Sequence, residues 1–192
     1  MNAQAEFIHS IVSALEAADI QYMLAGSVGS THYGRPRATM DVDLIIACTP
    51  DQLGRFIGAF GKRYYVPAAA AREALRNHSM FNIIDTETGW KADIIVRKSR
   101  PYSVEEFSRR RRADILGQSL WTMSPEDAVL SKLEWSKGRE ARIQVEDALS
   151  VAAAQWQSLD KDYILHWAVI LGVEEAARKL LDRAGRIAEN RD

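Results

Sequence analysis

The sequence predicts an α+β fold: a small mixed β-sheet with flanking helices, followed by a C-terminal helical bundle. Three observations predict it. Short apolar or β-branched runs near 20–25, 41–46, 80–85 and 90–96 read as strands. Segments of helical spacing stand between several of them, and beyond Thr122 only helical spacing recurs. The chain is therefore expected to divide into an α/β part, residues 1–122, and a helical part, residues 123–192.

The elements follow in order. Phe7, Ile8, Ile11, Val12 and Leu15 make one apolar stripe, the mark of an amphipathic first helix. The run 20–25 is a buried strand ending at the Gly26-Ser27 turn, and 28–34 is a short helix closed by Gly34. Pro36 pushes the residue before it toward an extended conformation. A second strand covers 41–46. Thr49-Pro50-Asp51-Gln52 is a helix start, with Thr49 as cap, Pro50 at the first helical position and Gln52 able to reach back. Leu53, Phe56, Ile57 and Phe60 continue that helix to Gly61. A short strand is expected at 64–66 and an Ala-rich helix at 68–77. Strands at 80–85 and 90–96 flank a four-residue loop, a hairpin pattern. Basic character concentrates in Arg97, Lys98, Arg100 and Arg109 to Arg112. Ser124-Pro125 opens a second capped helix, and helices are expected at about 125–137, 139–156, 160–171 and 173–188, with Gly172 as a stop.

Composition narrows the function classes. Of 192 residues 47% are hydrophobic, enough to close a core and to exclude a disordered chain. Lys and Arg number 25 against 26 Asp and Glu, so a globally basic nucleic-acid binder is excluded, while a local basic patch is not. Cys48 is the single cysteine, which excludes an internal disulfide and a cysteine-based zinc site. The acidic residues of the first helix are unlike a signal peptide, and no run is long and apolar enough to span a membrane. A cytoplasmic location with no membrane partner is the expectation.

Three carboxylates stand inside apolar strand-like runs. Asp41 and Asp43 are two apart, so alternation sets them on one face of a strand. Unpaired burial of two such charges is costly, and a divalent cation is the usual resolution. Asp93 lies within Ala92-Asp93-Ile94-Ile95-Val96. If its strand lies beside that of Asp41 and Asp43, the three acids converge into an oxygen-rich site for one or two Mg²⁺ ions, or Mn²⁺ in their place. The plain alternative for each acid is a solvated strand end or a partner for Arg or Lys.

Ala25-Gly26-Ser27, followed after a spacer by Asp41-Val42-Asp43-Leu44 and later by Asp93, resembles the signature of the DNA polymerase β-like nucleotidyltransferase superfamily. The resemblance covers roughly residues 20–96. It implies a nucleotidyltransferase-like fold and transfer of an NMP from NTP to an acceptor, with release of pyrophosphate. Asp41, Asp43 and Asp93 would then be catalytic and metal-binding, and Gly26 and Ser27 would meet the triphosphate. The lead-in Arg35-Pro-Arg37-Ala-Thr39 looks like that of the AbiEii-toxin-like branch. That branch implies a nucleotide-contacting Lys and a following Asp in the helical part, best matched by Lys132 and Asp147; the plain alternatives are a solvated lysine on a helix face and an Asp147 paired with Arg142 or Lys137. Arg37 either neutralises triphosphate charge or is an ordinary loop arginine. The branch also implies a toxin–antitoxin setting with a cognate antitoxin protein. The acceptor is left open among RNA or tRNA, protein and small molecules, with the macromolecules favoured. The alternative reading is a non-catalytic nucleotide-binding or regulatory module acting with a protein partner.

Other residues are read more plainly. Arg109 to Arg112 is a solvated helix or loop face or, alternatively, a patch for RNA phosphates. His9, His32, His78 and His166 lack metal-ligand spacing, and His166 is expected to pack beside Trp167. Trp121, Trp135, Trp156 and Trp167 are expected to join the helical part to the α/β part, with nucleobase stacking an alternative for Trp135. Cys48 is expected to be an inert core thiol.

Overall fold

A computed structural model describes residues 3–34, 39–137 and 141–190. They fall into two compact units: one holds 3–27 and 39–122, the other 28–34, 123–137 and 141–190.

The first unit is built on a mixed sheet. Its strands are β1 (Gln21–Leu24), β2 (Asp41–Ala47), β3 (Tyr64–Tyr65), β4 (Met80–Asp85), β5 (Lys91–Val96), β6 (Arg111–Ile115) and β7 (Gln118–Thr122). Among the described residues their order is β3-β4-β5-β2-β1-β7-β6. β2 runs parallel to β5 and antiparallel to β1, β4 and β5 form a hairpin, and β7 joins β1 in parallel. The helices are α1 (Ala3–Ala17), α3 (Pro50–Gly58), α4 (Ala68–Asn77) and α5 (Pro101–Ser108), while α2 (Gly26–Thr31) begins where β1 ends. Phe7, Ile8, Ile11, Val12 and Leu15 of α1 are all buried, so the stripe legible in the sequence is the face that packs. Thr49 and Gln52 form a reciprocal capping box at α3.

Alternation along the central strands gives each two unlike faces. Val42, Leu44 and Ile46 of β2, Ala92, Ile94 and Val96 of β5, and Phe81 and Ile83 of β4 are buried. The intervening positions, among them Asp41, Asp43, Asn82, Lys91 and Asp93, are half-buried or exposed. The centre of the sheet thus has one buried hydrophobic face and an opposite face on which these polar residues gather beside half-buried Ile45, Ile84 and Ile95.

Asp85, at the end of β4, is fully buried and holds Arg63 in a two-pronged ion pair, with Arg63 Nε 3.0 Å from Oδ1 and Nη2 2.6 Å from Oδ2. The Glu87 amide also donates to Asp85 Oδ1 at 3.0 Å. Hydrogen bonds from Arg63 outweigh the cost of burial and hold this carboxyl far below the ordinary carboxylate range. A carboxyl depressed in the folded state stabilises the fold above its unfolded pKa of about 3.9, and that contribution is lost as pH falls toward the folded value. Asp85→Asn is therefore expected to cost about 2 kcal/mol at pH 7. In urea unfolding the gap from wild type should narrow steadily below about pH 4. A gap that stays constant with pH would assign the stabilisation to packing instead.

The second unit contains α6 (Pro125–Trp135), α7 (Ala141–Ala154), α8 (Lys161–Leu171) and α9 (Glu174–Glu189). Ser124 and Asp160 cap α6 and α8 through their side chains, and Gly172 ends α8 in a left-handed conformation. α6 packs against α7, and α7 against α9. At Gly185 of α9 a Cβ would stand 2.8 Å from the Trp156 ring, so the helix and the indole are in direct contact. Buried Asp127 accepts hydrogen bonds from Ser124 Oγ at 2.7 Å and Tyr163 Oη at 2.8 Å. No helix among the described residues is long and apolar enough to cross a membrane.

The structure corrects several expectations. α2 spans Gly26–Thr31 rather than 28–34, and the expected turn lies at its first residue, Gly26, which has a positive φ. α3 ends at Gly58, short of Gly61. The arginine run is neither one helix face nor one loop. Arg109 caps the end of α5, and Arg111 and Arg112 open β6, an edge strand. Trp135 is 67% exposed and is not packing glue. Trp121 is half-buried, with Arg112 stacked 4.8 Å and Arg110 5.2 Å from its ring.

Candidate active site

The polar face of the central strands is organised by register. β2 and β5 pair so that Asp43 stands opposite Asp93 and Asp41 opposite Lys91. β4 and β5 pair so that Asn82 stands opposite Asp93. Asn82, Asp93 and Asp43 therefore form a row across three adjacent strands, with Asp41 and Lys91 one step along the same face.

The end of β1 closes one side of this row. Its last register partner on β2 is Leu44, after which the Ala25 amide donates to the Asp43 carbonyl at 2.9 Å. The chain then turns into α2 through Gly26, whose φ is +57°. A Cβ at this residue would lie 1.8 Å from Asp43 Oδ2 and 2.5 Å from Asp43 Cγ. Glycine is thus required twice over, for the left-handed backbone and for the space that the Asp43 carboxylate fills.

Beside the row, among the described residues, Lys91 supplies a cation. Its Nζ lies 3.3 Å from Asp41 Oδ1 and 3.2 Å from Asp93 Oδ1, and it donates to Asp93 Oδ2 at 3.3 Å. Partial burial opposes the charge on Lys91, but hydrogen bonding and attraction to Asp93 and then Asp41 prevail, raising its pKa. On the other side the Asn82 amide donates to Asp93 Oδ1. Among the described residues, no group of three His, Cys, Asp or Glu side chains is gathered so as to hold a metal ion. The donor chemistry nevertheless suits one: the acids offer hard carboxylate oxygens, and two of them already bind a cation in the ammonium of Lys91.

The other expected site residues are placed as follows. Ser27 is buried in the first turn of α2. Arg37 lies outside the described residues. Lys132, expected on a solvated helix face unless it touches nucleotide, is buried in the second unit and pairs with Asp147 Oδ2 at 2.9 Å. Asp147 thus engages Lys132. His32 is exposed with its ring against Tyr33, and His166 lies edge-on to Trp167 as expected. Cys48 is half-buried rather than in the core, and desolvation pushes its thiol up to about 11.

Lys91 and Asn82 were not singled out from the sequence. A signal for Lys91 was there: it precedes Asp93 by two, the spacing that pairs Asp41 with Asp43. Asn82 offers no comparable local sign, because only strand neighbourhood brings it to Asp93.

No protein-family model matches the chain, and no curated protein matches it. Solved structures do. The antibiotic-resistance factor ANT(2'')-Ia in solution matches at a TM-score of 0.54 and 14% identity, over 92% of this chain and 95% of that one. ANT(2'')-Ia in complex with adenylyl-2''-tobramycin matches at 0.57 and 14%, over 93% and 98%. The fold is that of the nucleotidyltransferases. An antigenic nucleotidyltransferase-like protein from Paracoccidioides brasiliensis shares it at 0.53 and 18% identity, over 89% and 91%. The nucleotidyltransferase fold seen here comprises the mixed sheet, its flanking helices and the helical C-terminal stretch.

Proposed function

We propose that this chain is a Mg²⁺-dependent nucleotidyltransferase, moving an NMP from an NTP to an acceptor hydroxyl. The observation that carries the reading is the register of β2 and β5, which sets Asp43 against Asp93 with Asp41 on the same face. The fold shared with ANT(2'')-Ia supports it. In the reaction the acceptor oxygen attacks the α-phosphorus, a new P–O bond forms, and the bond to the β-phosphate oxygen breaks to release pyrophosphate. Asp93 takes the acceptor's proton, and the Asn82 amide on its Oδ1 orients it for that task. Asp41, Asp43 and Asp93 would hold one or two Mg²⁺, with Mn²⁺ as a substitute, and the bound ion supplies charge neutralisation on the phosphates. Gly26, which lies against the Asp43 carboxylate, and Ser27 after it would meet the triphosphate; Arg37 and Lys132 are further proposed nucleotide contacts.

Two sources of support bear on the acceptor, and they favour different classes. ANT(2'')-Ia holds an adenylylated aminoglycoside, which favours a small polyhydroxylated acceptor. The basic run Arg109 to Arg112 favours RNA, and the likeness to the AbiEii-toxin-like branch favours a cytoplasmic toxin that an antitoxin would restrain. The test is incubation with each α-labelled NTP and Mg²⁺, against aminoglycosides, tRNA and a cell extract in parallel. Transfer of label with equimolar pyrophosphate is the expected result. Binding of Mg·NTP with no pyrophosphate in any arm would overturn the proposal and leave a nucleotide-binding module.

A further inference from the structure

We infer that Lys91 is a built-in competitor for the divalent cation, so that an ion reaches Asp41 and Asp93 only by displacing the lysine ammonium. The inference rests on the metal-binding reading of the carboxylates proposed above.

Lys91 opens β5 and faces Asp41 across the β2–β5 pair, with Asp93 two residues along its own strand. Its ammonium holds an oxygen of Asp41 and both oxygens of Asp93 within 3.3 Å. A second cation cannot share these oxygens without a strong like-charge repulsion at such separations. Without an ion, the ammonium offsets the mutual repulsion of the acids and keeps them together. With an ion it has somewhere to go, because the side chain is 34% exposed and sits at the first residue of its strand. The Asp93 carboxylate stays in place during the exchange, since Asn82 holds Oδ1 from the neighbouring strand. The lysine therefore sets how tightly the site takes a bare ion.

The test is Mn²⁺ binding to the full chain, read from the free-ion signal by electron paramagnetic resonance, for wild type, Lys91→Met and Lys91→Arg. Lys91→Met is expected to bind Mn²⁺ about tenfold more tightly or better, and Lys91→Arg to remain near wild type. Lys91→Gln makes the same comparison should the methionine variant fail to fold. Adding Asp93→Asn to Lys91→Met should abolish the gain. Melting curves provide a second readout: without ion Lys91→Met should melt below wild type, and Mn²⁺ should raise its melting temperature by more. Equal or weaker Mn²⁺ binding by Lys91→Met would overturn the role of Lys91 while leaving the metal site standing. A gain that survives Asp93→Asn would place the ion elsewhere and also overturn it. No binding by any variant, with or without NTP, would remove both readings together.

Discussion

Asp43→Asn is expected to lower NMP transfer by at least about a thousandfold while the melting temperature stays level or rises. Asp43 is closely confined by the fold. The Ala25 amide holds its carbonyl at 2.9 Å, Gly26 leaves the space its carboxylate fills, and Asp93 stands opposite it on β5. Asparagine keeps the shape of the side chain but withdraws one negative charge from a face on which, among the described residues, Asp41, Asp43, Asp93 and Lys91 meet. If that charge serves phosphoryl transfer, its loss raises the barrier by about 4 kcal/mol, each tenfold in rate being about 1.4 kcal/mol. If the acid served no catalytic purpose, the same relief of repulsion would arise and turnover would not change. Pyrophosphate release separates the two, and thermal unfolding of the same preparation shows that the variant is folded. Full turnover in Asp43→Asn would sink the catalytic reading of the whole row. Asp93→Asn should behave alike in turnover, because Asn at 93 can still accept from Asn82 while losing its capacity as a base.

What could be read from the chain divides along local and non-local lines. The capping box at Thr49 and Gln52, the Ala68–Asn77 helix and the strands around Asp43 and Asp93 are written in adjacent residues, where spacing and cap chemistry act directly. The β6–β7 hairpin was missed for a local reason. Its turn uses Leu116 and Gly117, both at positive φ, and leucine is a residue that no turn rule favours there. Its outer strand, Arg111–Ile115, is an edge with polar side chains, so no apolar alternation marks it. The row of Asn82, Asp93 and Asp43 was legible only in part. Each acid stood out within its strand, but which strands lie side by side is decided by packing across the sheet. The sequence therefore pointed to the carboxylates and not to Lys91, the cation between them. Lys132 shows the same limit: its burial depends on Asp147, a partner one helix away.

Gly26→Ala is expected to cut NMP transfer by about a hundredfold or more and to lower the melting temperature by several degrees. Two separate costs are at work. Alanine at φ +57° loses about 1–2 kcal/mol to backbone strain, which for a chain of this size is roughly 2–8 °C. The new methyl would also stand 1.8 Å from Asp43 Oδ2, so the carboxylate must move out of the row. A displacement of about 1 Å in a positioned group is enough to cost about a hundredfold in rate. Gly89→Ala isolates the first cost from the second. Gly89 has φ +77° and no atom within 4 Å of its would-be Cβ, so the same strain arises with no carboxylate displaced. The paired measurement is thus melting temperature and turnover for both variants. Gly89→Ala should lose stability comparably and keep its activity, whereas Gly26→Ala should lose both. Equal activities in the two variants would mean that the position of the Asp43 carboxylate does not govern the reaction, even if its charge does.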